Sequence, residues 1–321
     1  MPVDSATLRE LCSRTLDTTN FVGLGTRIEG KVRDSYVEEK RRTIVVSDRV
    51  SCFDVVVGTI PLKGQVLNQM AAFWFEETRE LAANHLISVP DPSVSVVREL
   101  KIQPVEFVTR AYLTGVTSTS IWTAYASGAR EYCGHRLPDG MRKHAKLPRA
   151  IVTPTTKAGK GEHDELTSRA EIVRSGALSA ELYERAEALA LKLFAAGSAW
   201  AASRGLILVD TKYEFGLDEA GKLVVADEIH TPDSSRYWYA DAYAESMAAG
   251  TDPRALDKEY VRRWLVSERG YKGDGPPPVL PDDVRVEAAR RYIEAFEQLS
   301  GRPFVPDTTE PLARIRRNLG L

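Results

Sequence analysis

Cysteine is scarce in this chain: 3 among 321 residues, Cys12, Cys52 and Cys133, lying far apart with no CxxC pair. That excludes a disulfide framework and a cysteine-ligated zinc site, and it fits a reducing, cytoplasmic setting. Long apolar runs are also missing. The longest, such as residues 206–209 (LILV), fall far short of a bilayer span. The first ten residues carry Asp4 and Glu10 and no apolar core, so no secretory leader is expected there. A charge excess of either sign is absent too, with 43 basic and 45 acidic side chains giving a net charge of −2. No bulk field favours nucleic acid or an anionic membrane, so any phosphate recognition must be local.

The residues that are present suit a water-exposed α+β protein. Residues 26–60 read as β-structure broken by turns, with short β-branched runs at 43–47 (TIVVS) and 55–60 (VVVGTI). Residues 65–83 repeat Leu67, Met70, Ala71, Trp74 and Leu81 at helical spacing, and 94–97 and 105–109 read as strands. A helix over 117–127 precedes a polar, Gly- and Pro-containing stretch, 128–165, too long to be a mere connector. Residues 178–204 are the strongest helix, with Gly205 as its stop. Strands at 206–215 and 223–229 come next, then helices at 257–268 and 281–300 and a short final one. The arrangement predicts an N-terminal, mostly antiparallel β lobe over 1–108 and a mixed lobe over 109–321 with helices added at its end.

Five stretches carry chemistry. The segment from Gly25 to Lys31 matches the opening of a phosphate loop, GxxxxGK, but Val32 stands where a magnesium-binding Ser or Thr belongs. The residues after Val32 are strand-like, without the helix N-terminus such a loop needs. A strand–turn–strand cover with Lys31 and Arg33 on one face fits better, and a hairpin of solvated charges fits as well. In the second stretch, period-2 alternation puts Asp210, Lys212 and Glu214 on one face, and Asp227 and Glu228 on opposite faces of the return strand. Carboxylates and a lysine on adjoining strands suit magnesium bound through nucleotide phosphates. The competing reading is an exposed hairpin with cross-strand ion pairs. The third, from Thr231 to Trp238, offers Asp233, Ser234, Ser235 and Arg236 to an anion and an amine, or a helix N-cap. The fourth places Arg110 at a strand end before Gly115 and hydroxyls, and the fifth, 153–165, sets His163 among carboxylates and lysines. A lone histidine is a weak metal signal, and a substrate loop is preferred.

Taken in order, these stretches resemble the SAICAR synthetase family. The pieces that carry the resemblance are 30–34 (GKVRD), 47–54 (SDRVSCFD), Lys63-Gly64 with Leu67-Asn68, 110–115 (RAYLTG), the 153–165 loop, 209–216 (VDTKYEFG) and 227–236 (DEIHTPDSSR). The C-terminal helices look like those of the family's longer form, found in eukaryotes and some bacteria. The resemblance implies a two-lobed SAICAR synthase-like fold. It also implies an ATP- and Mg2+-dependent ligase of purine synthesis that joins L-aspartate to the carboxylate of carboxyaminoimidazole ribonucleotide through an acyl phosphate. It implies small-molecule partners only, neither nucleic acid nor membrane. By the same resemblance Gly30, Lys31 and Arg33 cover the ATP phosphates, Glu106 and Val108 meet adenine, and Lys212 binds phosphate as a catalytic residue. Glu214 and Asp227 hold the metal. Arg110, Ser235 and Arg236 hold the ribonucleotide, and Asp233 takes the substrate amino group as the second catalytic residue. Short family members have serine where this chain has Val116, so Thr117 or Ser118 is the candidate hydroxyl. Lys157, His163 and Asp164 are candidates for the aspartate pocket. Two rival readings share the nucleotide apparatus: a small-molecule kinase and a non-catalytic nucleotide-binding regulator.

Overall fold

The computed structural model describes residues 3–117, 119–156, 165–256 and 259–321. Two antiparallel sheets dominate it. The first has five strands in the order Thr26–Glu29, Arg33–Val37, Arg41–Val46, Val94–Arg98 and Leu86–Asp91. A separate hairpin, Arg49–Cys52 with Val55–Thr59, comes after the third of these in the chain. The second sheet has six strands. Lys101–Tyr112 and Leu206–Leu217 lie at its centre, Lys146–Thr156 and Glu165–Leu166 on one side, and Leu223–Ala226 and Ser235–Tyr239 on the other.

The helix Ala180–Ser203 lies against the second sheet, touching three of its long strands. Its buried side chains, among them Tyr183, Ala190, Leu193 and Phe194, form one face, and Ser179 caps its first turn by accepting from the Leu182 amide. The helix Lys63–Glu77 packs against the strand Arg41–Val46 and the late helix Asp282–Ser300. One hydrophobic cluster therefore runs from Ile44 and Val46 of the first sheet to Phe107, Val152, Tyr213 and Phe215 of the second. Backbone bonds join the sheets as well: His85 donates to the Val225 carbonyl and Val225 to the Ala83 carbonyl.

Several elements depart from the sequence reading. The stretch 128–165, expected to be irregular, contains the 11-residue strand Lys146–Thr156, paired to Lys101–Tyr112. Its β-branched residues cluster only at 151–156, after Pro148 and Arg149, so the run looks too short in the sequence. The helices Ser5–Leu11 and Ala240–Ala249 are not among the expected elements. The second has no buried residue, so no apolar face betrays it. The N-cap reading of Asp233 and Ser234 fails, because Ser235–Tyr239 is a strand and the next helix begins at Ala240. Val108, where the sequence suggests a lobe boundary, lies in mid-strand between Thr153 and Lys212.

Candidate active site

The strand Leu206–Leu217 carries the site. Leu206 and Leu208 join the core cluster together with Tyr213 and Phe215. A register shift between Leu208 and Asp210 exchanges the faces, so Asp210, Lys212 and Glu214 share the opposite one. Such a bulge lets an apolar strand turn a row of charges toward one opening without leaving the sheet.

At the Lys212 end, the ammonium donates to Glu106 Oε1 at 2.8 Å and Glu214 Oε1 at 2.5 Å, with Asp227 Oδ2 at 4.0 Å. Glu106 stands opposite Glu214 in the ladder, which brings the two carboxylates together. Burial alone would push the Lys212 pKa down, but the Glu214 and Glu106 carboxylates outweigh it and hold it above the ordinary value. Arg33 reaches over from the first sheet. Its two terminal nitrogens donate to Asp227 Oδ1 and, at 2.7 Å, to Glu228 Oε1. The expected separation of Asp227 and Glu228 onto opposite faces is therefore wrong. The strand ends at Ala226, and Asp227 adopts a left-handed conformation (φ 64) that brings both carboxylates round to one arginine. Thr231 Oγ1 fixes Glu228 Oε2 at 2.6 Å.

Two residues farther back on the strand, Asp210 binds two arginines. Arg236 donates to both its oxygens, at 2.9 and 2.6 Å, and Arg110 donates to Oδ2 at 3.2 Å. Desolvation would raise the Asp210 pKa, yet Arg236 and Arg110 hold it below the usual carboxylate value. These groups line a cleft of about 280 Å³ together with Asp233, Ser235 and Arg262. Asp233 accepts from Lys63 and Tyr292, and Ser235 Oγ donates to Thr211 Oγ1 at 2.7 Å. The two ends of the site touch. Thr155 lines the cleft and its hydroxyl meets Glu106 Oε2 at 3.4 Å, while the Lys212 amide donates to the Ser234 carbonyl. A larger groove of about 890 Å³ lies between the strand Lys146–Thr156 and the helices beside it, but its walls hold none of the candidate site residues.

Arg33, Glu106, Lys212, Glu214 and Asp227 are thus brought together, as are Arg110, Asp233, Ser235 and Arg236. Lys31 is not with them. It sits in the turn before the strand Arg33–Val37, and its ammonium meets Asp54 at 2.6 Å, both side chains more than half exposed. The expected shared face with Arg33 is lost because strand geometry begins only at Arg33. Gly30 lies in that turn, its amide donating to the Arg33 carbonyl and its own carbonyl accepting from Arg49. Val108 is half-buried in mid-strand, and its carbonyl accepts from Thr153 Oγ1 at 3.2 Å. Ser118, Lys157, His163 and Asp164 lie outside the described residues. Lys63, Glu228, Tyr292 and Arg262 are not among the expected site residues. Lys63 and Glu228 stand inside motif stretches, whereas Tyr292 lies on the apolar face of a helix and gives no signal.

For a divalent cation the donors are all oxygen, the carboxylates of Glu214, Glu106 and Asp227 lying 2.5, 2.8 and 4.0 Å from the Lys212 ammonium. Among the described residues no group of three or more His, Cys, Asp or Glu could by itself hold a metal ion. That donor set fits Mg2+ held through one or two carboxylates and completed by substrate phosphates, not a closed protein cage.

Fold and site together define an α+β enzyme that handles small anions, with a lysine–carboxylate cluster and an arginine-lined cleft on one strand. Residues 26–278 match the model of the SAICAR synthetase family. A Mesorhizobium japonicum protein named putative phosphoribosylaminoimidazole-succinocarboxamide synthase 2 is 48% identical over 309 residues, 95% of this chain and 98% of that protein. The phosphoribosylaminoimidazole-succinocarboxamide synthase of Legionella pneumophila (strain Paris) is 46% identical, over 91% of this chain and 93% of its own. Among solved structures, the Saccharomyces cerevisiae SAICAR-synthase complexed with SAICAR superposes with a TM-score of 0.77 at 29% identity, covering 91% of this chain and all of that one. The chain belongs to the SAICAR synthetase family.

Proposed function

We propose that this chain joins L-aspartate to the carboxylate of carboxyaminoimidazole ribonucleotide, converting ATP to ADP and phosphate and forming SAICAR in purine synthesis. The observation that carries the reading is the pairing of two anion sites on one strand, the Lys212 cluster and the Arg110–Asp210–Arg236 cleft. A ligase must hold a nucleotide triphosphate and an acceptor acid in contact, and adjacent sites on a rigid strand supply that proximity. Family membership and relatives of that name at up to 48% identity support the same reading.

A carboxylate is a poor acceptor for an amine until one of its oxygens becomes a leaving group. In the proposed route a carboxylate oxygen of the ribonucleotide attacks the γ-phosphorus, and the bond to ADP breaks. The aspartate nitrogen then attacks the acyl carbon, the bond to phosphate breaks, and the nitrogen loses a proton. The protein's part is positioning and neutralisation of charge. Arg33 and Lys212 bind the ATP phosphates, with Lys31, once parted from Asp54, added from the turn at Gly30, and Glu106 and Val108 lie toward the base. Arg110, Ser235 and Arg236 hold the ribonucleotide, with Thr117 or Ser118 adding a hydroxyl, and Asp233 receives an amino group. Glu214 and Asp227 would hold Mg2+, which neutralises phosphate charge when bound. Lys157, His163 and Asp164 are proposed for the aspartate pocket. We place the protein in the cytoplasm, consistent with its three free cysteines and with no described helix long and apolar enough to cross a membrane. Two lobes are proposed, one built on each sheet.

Purified protein supplied with ATP, Mg2+, the carboxylated imidazole nucleotide and aspartate should release ADP only when all are present. Equal ADP release without aspartate, or without the nucleotide, rules the ligase out.

A further inference from the structure

Asp233, at the wall of the cleft, is gripped by two helices remote from it in the chain. Lys63 Nζ donates to its Oδ2 at 2.7 Å, and the Tyr292 hydroxyl donates to its Oδ1 at 2.7 Å. The Lys63 side chain is fully buried, with its Nζ 5.5 Å from the centre of the Tyr292 ring. Local structure dictates this placement. Leu62, before the helix Lys63–Glu77, is left-handed (φ 65), and the Gly64 amide donates to Asp48 Oδ1 at 2.9 Å. A Cβ at position 64 would lie 2.2 Å from the Val46 carbonyl oxygen, so only glycine lets the helix start press this close to the strand. Lys63 is thereby driven inward beneath Asp233.

A buried ammonium is costly to desolvate, and a buried ion pair is often no more stable than apolar residues of the same volume. The helices around it already pack through Val66, Met70, Ile293 and Phe296. Packing therefore does not require the Lys63–Asp233–Tyr292 arrangement, whereas a carboxylate that must meet a substrate N–H in one orientation does.

We infer that Tyr292 and Lys63 are positioning residues that hold the Asp233 carboxylate in a single orientation toward the amino group of the imidazole nucleotide. The inference rests on the ligase reading. It also makes the C-terminal helix Asp282–Ser300 part of the site, because Tyr292 lies on it.

The test compares wild type with Tyr292→Phe, Asp233→Asn and the double variant, each substrate varied in turn and each melting transition recorded. Removing one hydroxyl should raise KM for the imidazole nucleotide about tenfold, the scale of a hydrogen bond to a charged group, and leave KM for ATP unchanged. In the Asp233→Asn background the same change should add nothing. An unchanged nucleotide KM in Tyr292→Phe, or losses that multiply in the double variant, overturns the inference. A purely structural role would lower the melting temperature without moving KM. If wild type itself forms no amide product, the ligase reading fails, and the inference goes with it.

Discussion

Asp227 is a non-glycine residue held in the left-handed region, with Arg33 on one side and Lys212 on the other. Asparagine tolerates that backbone conformation as readily as aspartate, so Asp227→Asn removes charge without adding strain. Turnover should fall about 100- to 1,000-fold, the loss typical of a single charge-stabilising group. The melting temperature should hold, since Glu228 still receives Arg33. Normal turnover in this variant would remove Asp227 from the chemistry.

Three buried groups with large shifts contribute to the response to acid. Burial pushes His85 and His230 down to about 3, from the usual 6.5. The unfolded chain takes up these protons below 6.5 and the native state does not, so their contribution is present above 6.5 and drains as pH falls toward 3. At pH 5 each costs about 2 kcal/mol. Asp48 has the opposite sign. Burial raises it to about 6, so its contribution is full below 3.8 and lost as pH rises through 6. Between pH 7 and 5 it returns about 1.4 kcal/mol, leaving a net fall of about 2 to 3 kcal/mol. His230→Gln should remove about three quarters of the decline of the urea midpoint over that range. An undiminished decline would show that His230 is protonated in the native state.

At the scale of elements, Gly197 lies inside the helix Ala180–Ser203, where alanine is the better helix former by about 1 kcal/mol. A Cβ there would stand 2.5 Å from His230 Cε1. The ring cannot retreat, for Trp74 packs on it at 4.6 Å between centroids and the Tyr213 hydroxyl lies 2.6 Å from its Nε2. Gly197→Ala should therefore destabilise the protein by about 1 to 2 kcal/mol in chemical denaturation, overpacking outweighing propensity.

The elements also mark how far the sequence can be read. Strands with compact β-branched runs, such as Arg41–Val46 and Val55–Thr59, and helices with continuous apolar faces, such as Ala180–Ser203, are legible within a few residues. Period-2 alternation brings Asp210, Lys212 and Glu214 together because the strand stays regular beyond the bulge. It misplaces Glu228 and Lys31 because each lies just past a strand end, where alternation no longer holds. Lys63 and Tyr292 meet Asp233 only through tertiary packing, which no local pattern records.

Across the whole molecule, the last helix, Pro311–Leu319, is pinned to the first sheet by one buried charge. Arg314 donates to Asp91 at 2.9 and 3.2 Å, to Ser93 Oγ and to the Asp307 carbonyl, with 1% of its side chain exposed. Arg314→Met leaves Asp91 without its cation and should cost about 3 to 5 kcal/mol. Adding Asp91→Asn should restore part of that loss in urea titrations. A single variant as stable as wild type would mean the ion pair contributes nothing.

The Arg33 clasp has a consequence for how the chain assembles. Arg33 and Asp227 are 194 positions apart, and Arg33 and Glu228 are 195 apart. The central pairing of the second sheet already joins distant residues, Lys212 with Val108, and this junction reaches farther still and must wait for both sheets, since long-range closure is the slow part of folding. A nascent chain that has emerged only to Ala226 has neither carboxylate, so it cannot form the clasp with Arg33. Any ligand gripped between the sheets therefore recognises completed molecules alone. At a hundred times its dissociation constant it would deepen the native well by about 2.7 kcal/mol, favouring finished chains over unfinished ones during synthesis.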